Sequence, residues 1–553
     1  MPEKKRGWTG VRRKSKQQRD LYQSHQIVGG LSLKVLLITG LLAEKTLKNY
    51  AEESTVESAV FALKVPVAAL LSPEKIAKTL KKTSIQGFDL ILVPGLIRGD
   101  TSVITNSVGI PTFKGPKYAA DLPTVLNALE RVRLSTVTPA CDLLREELQQ
   151  KALQELEIVE KNKDVLLKKP GNMLIGKLAV GKDFPMRVLA EIVDAALMSD
   201  DEIQRLAKHF VKMGADLIDV GMVSGESRPY DAKRGVEAVK KAVEVPVSID
   251  TLDTEEIKQA VEAGADLILS VDAGNVKQIA GCSSDVAAVI IPTNQREGYF
   301  PNKAESRIRF LEEIKDKAAR LGMKRIMADL ILEPFNVLES MIAFRDFAVR
   351  NPDVPLFVGV SNVTELFDAD SVGVNALLAL LSSEVNASML LATEKSNKAK
   401  GTIREEAVAA KMMFLAKRRG SVPKDLGIDL LVFKEKRKHE ETYDRTIEED
   451  AHLIMANEEV ESTPMDPRGV FRIIVDHESE TIVALHYPTA EIDRPSNVIK
   501  GKTASVIYSK ILETGLVTRF DHAAYLGREL AKAEISLKTG RGYIQDRELF
   551  KQL

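Results

Sequence analysis

The chain has 553 residues, 44% hydrophobic and 28% charged, with a formal net charge of −1. Two to four domains are expected at that length, and the balanced charge excludes a global field drawing the protein to nucleic acid or to a membrane surface. Only two cysteines, Cys141 and Cys282, occur, which excludes a disulfide-built secreted scaffold and fits a reducing cytoplasm; no run of about 18 apolar residues suggests a transmembrane helix.

Residues 1–30 carry Lys4, Lys5, Arg6, Arg12, Arg13, Lys14, Lys16 and Arg19 without the apolar stretch of a signal peptide. They read as a basic, disordered tail, with an RNA or phosphate contact as the alternative. The apolar runs 34–40 (KVLLITG), 65–72 (VPVAALLS) and 87–95 (GFDLILVPG), alternating with amphipathic stretches, predict a small parallel α/β domain over 31–140. Gly95 ends one run and leaves room for a ligand crevice, but neither GxGxxG nor GxxxxGK[ST] follows. A charged helical stretch, 143–169, occupies a linker over 141–170.

From residue 173 the rhythm becomes regular. Strands are predicted at 173–178, 216–221, 246–250, 266–272, 287–291, 325–331, 355–361 and 388–392. Eight helical segments are predicted, among them 200–214, 232–243, 254–263, 304–321, 336–350, 370–385 and 402–418, with the shortest between the fourth and fifth strands. The strands are apolar throughout, as strands buried on both faces are. Eight strand–helix units in about 250 residues predict a (β/α)8 TIM barrel over 171–420, against the alternative of a doubly wound open sheet. Residues 421–553 change rhythm again, into a separate α+β domain. It holds a solvated charged stretch at 434–450, a hairpin from 470–476 and 481–487, and helices near 501–514 and 521–538.

In such a barrel the site forms where strands end. The polar residues there include Arg228 after strand two, Asp250 on strand three, Asp272 on strand four, Asp329 on strand six, Asn362 after strand seven, and Lys395 and Lys398 after strand eight. A carboxylate buried at a strand end needs a partner. A fused aminopyrimidinone ring supplies one, because its N–H and exocyclic amine form a two-point donor edge. The ordinary alternative for each Asp is a helix cap or a salt bridge.

The motifs IDVG (218–221), GESRP (225–229), PVSIDT (246–251), AVEAGADLI (260–268), IMADLILEP (326–334) and VGVSN (358–362) resemble the pterin-binding superfamily of dihydropteroate synthases and pterin-dependent corrinoid methyltransferases. The whole-chain arrangement, with HAAYLGRELAKAEISLKTGRGYIQD at 522–546, resembles the archaeal dihydropteroate synthase-related proteins within it. The resemblance implies pterin contacts at Asp250, Asp329 and Asn362, with Asp272 near the position of a family Asn. It implies a role for Arg228 toward a diphosphate or second substrate, and Mg2+ beside a leaving diphosphate. A homodimer through barrel helices, and a partner protein docked on the flanking domains, are further expectations. The Ser-Arg-Lys that synthases carry after strand seven is absent, so Lys395 and Lys398 join Arg228 as the candidate catalytic cations. Three functions follow from the resemblance: condensation of a pterin-6-methyl diphosphate with an arylamine in folate or methanopterin biosynthesis, methyl transfer from a reduced methylpterin, or non-catalytic pterin binding and assembly.

Overall fold

The computed structural model describes residues 33–281, 285–435, 446, 448, 451–456, 464–490 and 493–550. The expected basic tail, most of the charged stretch 434–450 and Cys282 lie outside them. The described residues divide into two compact units. One comprises the chain up to Asn162 together with the segment that begins at Leu415; the other comprises Lys163–Phe414 together with the carboxy-terminal residues.

The first unit is built on a parallel four-stranded sheet, in spatial order Glu57–Leu63, Lys34–Gly40, Leu90–Val93 and Thr112–Lys114. Its side chains alternate between two cores. Leu36, Ile38, Ile91 and Val93 face one, and Val35, Leu37, Leu90 and Leu92 face the other, which is why these strands read as continuous apolar runs. The run 65–72 is not a strand. Pro66 interrupts it, and Pro cannot donate to a ladder; the strand lies upstream at Glu57–Leu63, and 65–72 forms a loop with one turn of 3-10 helix. Helix Ala140–Lys161 belongs to this unit, where Ala140 joins the second core.

The second unit contains a closed barrel of eight parallel strands. In order they are Arg187–Ile192, Leu217–Gly221, Val247–Asp250, Leu267–Val271, Ala287–Ile290, Ile326–Ala328, Leu356–Val358 and Ala387–Thr393, each followed by a helix. The first differs from expectation. Residues 173–178 do not enter the barrel; Asn172–Ile175 and Leu178–Gly181 form an antiparallel hairpin instead. Gly176 makes the turn at φ +54, a left-handed conformation that glycine adopts without steric cost. Gly176 lies against Pro246 and Asp266, just ahead of strands three and four, and Ile175 and Val180 pack onto Leu189, Leu217 and Leu267. The hairpin therefore plugs the amino-terminal end of the barrel, and RVLAEI, 187–192, supplies strand one.

The carboxy-terminal part of this unit has the expected hairpin, Val470–Asp476 with Thr481–Tyr487, followed by a third antiparallel strand, Asn497–Gly501. That strand is largely exposed, so it lacks the alternation that would reveal it. Phe471, Ile473, Ile482 and Ala484 turn one face of the sheet onto helices Ala504–Glu513 and Phe520–Thr539. Among the described residues no helix is long and apolar enough to cross a membrane.

Candidate functional site at the carboxyl end of the barrel

Side chains two residues apart on a strand share a face. Leu189 and Leu217 point into the barrel core, so Glu191 and Asp219, two residues further on, also point inward, one layer higher. The register pairs Glu191 with Asp219, and Asp219 with Ser248. Asp250 is the last residue of its strand, beside Gly221. Oxygens of Glu191, Asp219 and Asp250 lie within 4.8 Å of one another.

Three carboxylates so placed cannot all ionise cheaply. Asp219 is fully buried; one oxygen accepts a hydrogen bond from the Ser248 hydroxyl, and Oδ2 has no partner among the described residues. Burial, then the charges of Asp250 and Glu191, push its pKa well up. Burial, with Asp250 next in importance, lifts Glu191 to about 7, partly offset by Lys395. Asp250 is raised to about 6 by burial.

Across the mouth, Asp329 directly follows strand six. It accepts from the Ile331 amide at 2.7 Å, and burial raises it to about 7 despite that bond and the Arg307 charge. Asn362 lies in the short helix Ser361–Thr364 rather than on a strand. It is exposed and donates through Nδ2 to the Leu332 carbonyl at 3.1 Å. Asp250 and Asp329 are thus two carboxyl groups at the barrel mouth, disposed to receive hydrogen-bond donors.

Asp272 has a different task from the one its position suggested. Oδ1 accepts from the amides of Gly274 and Asn275, at 2.8 and 3.1 Å, and Oδ2 from Gln295 N and Thr293 Oγ1, at 2.8 and 3.2 Å. Its acceptors organise the loops after strands four and five, leaving little for a ligand.

Arg228 precedes helix Pro229–Ala242. Its guanidinium grips Glu226 with Nε and Nη2, at 2.8 and 2.6 Å, while its amide donates to Glu256 at 2.7 Å. Arg228→Lys, which keeps the charge but loses the planar fork, is expected to leave calorimetric affinity for a bare pterin unchanged and to weaken a diphosphate-bearing pterin about threefold to tenfold. Equal loss for both ligands would move Arg228 into the ring pocket.

The two lysines after strand eight separate. Lys395 Nζ meets Asp194 at 2.9 Å and its charge acts on Glu191. Lys398 Nζ is held by Asp368 at 2.6 Å. Glu365 accepts from the amides of Lys395 and Ser396, at 2.9 and 3.3 Å, and fixes that loop.

Sequence reasoning missed Glu191 because strand one was placed on the plug. Asp219 stood in view within IDVG; its signal was the inward phase it shares with Leu217.

Comparison with known proteins agrees with this architecture. Residues 191–390 match the family described as pterin binding enzyme, residues 465–546 match PterinBD-DUF4346, and residues 33–117 match a family of unknown function. An uncharacterized protein of Methanocaldococcus jannaschii is 40% identical over 539 residues, covering 94% of this chain and 99% of its own length. A dihydropteroate synthase of Clostridium beijerinckii is 30% identical over 150 residues, covering 24% of this chain and 54% of its own. Among solved structures, the Yersinia pestis dihydropteroate synthase in a sulfonamide complex is 16% identical with a TM-score of 0.36, covering 45% of this chain and 100% of that one. With a near full-length relative at that identity and the pterin-binding match seated on the barrel, the chain belongs to the archaeal dihydropteroate synthase-related pterin-binding proteins.

Proposed function

We propose that the barrel is a transferase site of one-carbon carrier metabolism, condensing a pterin-6-methyl diphosphate with an arylamine. The observation that carries this reading is the placement of four carboxyls at the barrel mouth, Asp219 and Asp329 buried and Glu191 and Asp250 half-buried: Asp250 and Asp329 as acceptors for the ring's N–H and amine edge, with Glu191 and Asp219 grouped beside Asp250. Asn362, exposed at the rim, completes the ring contacts.

Glu191, Asp219 and Asp250 also fit a hard divalent cation. They are oxygen donors of suitable spacing, and the buried Oδ2 of Asp219 has no described partner. When bound, Mg2+ supplies charge neutralisation for a departing diphosphate. Lys395, already directed to this corner by Asp194, adds a protein-borne positive charge there. The carboxyls orient the ring, and burial of Asp219 and Asp329 strengthens the contacts they make.

A second reading, methyl transfer from a reduced methylpterin, draws support from Glu191. A carboxyl held near 7 keeps a proton available to a ring nitrogen at neutral pH. Calorimetry with a bare pterin, a pterin diphosphate and a methylpterin, each with and without Mg2+, separates the readings. The condensing site is expected to bind the diphosphate about tenfold or more tighter with Mg2+ and the other two indifferently to it. An Mg2+-independent diphosphate, together with a tightly held methylpterin, would replace condensation with methyl transfer.

A further inference from the structure

Within the second unit, a cleft of about 1010 Å3 opens between the loop after strand eight and the last residues of the carboxy-terminal domain. It holds no residue of the site described above except Lys398 at its edge. Its walls combine cations, Lys400, Arg541 and Arg547, with the aromatic rings of Tyr543 and Phe550. Arg541 lies over the Phe550 ring, 5.3 Å from its centroid, and its carbonyl contacts His477 Nε2 at 3.0 Å. The Tyr543 hydroxyl donates to Glu529 at 2.9 Å, so the ring is held in place.

The charges do not cancel. Four Lys and Arg side chains line the cleft against two carboxylates, Asp546 and Glu548. Asp546 accepts from the Tyr525 hydroxyl at 2.7 Å, and Lys398 is paired with Asp368. Lys400 and Arg547 are exposed; neither forms a close ion pair with a described residue, and the Lys400 charge acts at longer range on the Glu394 carboxyl. Two exposed cations beside the held Tyr543 ring suit an anionic group on an aromatic body. The volume is at the upper end for a small-molecule site, about 300–1,000 Å3.

The edge of the cleft at Lys398 is also a short stretch of chain from the corner of the barrel that holds Lys395. Lys395, beside Asp194 and Glu191, is three residues from Lys398, a span of at most about 11 Å. We infer that this cleft binds a phosphate- or carboxylate-bearing aryl extension of the ligand whose pterin or amine end reaches the barrel mouth. It thereby makes the carboxy-terminal domain part of the substrate site. The inference rests on the proposed pterin reading for the position of the ligand's other end, but not for the cleft itself.

The test is calorimetry at low salt on the full chain and on Lys400→Gln/Arg547→Gln, two exposed positions outside the hydrophobic core, with an unchanged melting temperature as the check that the variant folds. The probes are a bare pterin, pteroylglutamate, 4-aminobenzoylglutamate and inorganic phosphate. Pteroylglutamate is expected to bind roughly 10- to 100-fold tighter than the bare pterin, with that advantage shrinking as salt rises and vanishing in the double variant, while bare-pterin affinity stays unchanged. Equal affinity for the two pterins in the unaltered protein, or an advantage that survives in the variant, overturns the inference. Phosphate binding as tightly as 4-aminobenzoylglutamate would make the ligand a free anion and overturn the aryl assignment. If the bare pterin fails to bind while 4-aminobenzoylglutamate binds in a variant-sensitive way, the cleft stands and the pterin slot falls.

Discussion

Asp329→Asn is expected to move two measurements in opposite directions. The amide is isosteric and its oxygen can still accept from the Ile331 amide, so the backbone after strand six keeps its anchor. What changes is the charge. The folded pKa of Asp329, raised to about 7, lies above its ordinary value of 3.8, with burial as the main cause. The native state therefore holds this proton more tightly than the unfolded chain. The stability that follows is fully present below about pH 3.8 and is lost as pH rises through 7. A neutral Asn carries no such loss. The unliganded variant is expected to gain roughly 2–4 kcal/mol over the unaltered protein at pH 8, seen as a melting temperature higher by several degrees, and much less at pH 5. Pterin binding is expected to fall about 10- to 100-fold, because Asn offers one acceptor and a misdirected amine to a two-donor edge. A variant that binds the pterin normally would place the ring elsewhere. A melting difference that ignores pH would show that Arg307 already balances the Asp329 charge.

Lys395→Met is expected to slow condensation of a pterin diphosphate with an arylamine about 10- to 1,000-fold with Mg2+ present, the range for removing one preorganised charge partner. Lys398→Met is expected to retain most of the rate. The two lysines are three positions apart and look equivalent in sequence, but their partners differ. Lys395 is drawn by Asp194 toward Glu191, whereas Lys398 is held by Asp368. Full activity in Lys395→Met, or a loss confined to Lys398→Met, would move the leaving-group cation away from this corner. No condensation in the unaltered protein would favour methyl transfer or binding without turnover.

Much of the fold was legible because burial on both faces makes a parallel strand apolar along its whole length. Strands two to eight of the barrel and the carboxy-terminal hairpin carry that signal or its alternating counterpart. The positions of Asp250 and Asp329 were legible for the opposite reason: a carboxylate at the end of such a run is costly to bury and so stands out. Strand one was not. MLIGKL and RVLAEI are similarly apolar, and the choice between them rests on pairing of Arg187–Ile192 with Ala387–Thr393, some two hundred residues away, and on the left-handed turn at Gly176. No local pattern encodes a contact at that separation. Glu191 entered the site only with that closure.

The same holds for the division of labour among the acids. Asp272 and Asp219 both lie on or just beyond barrel strands in the sequence. Only the folded loops show that Asp272 is taken up by four donors from the segments after strands four and five, while Asp219 keeps one oxygen with no described partner. Local sequence determines where a carboxylate lies along a strand; the neighbouring loops, brought close by closure of the barrel, decide whether its lone pairs are spent on the fold or left for chemistry.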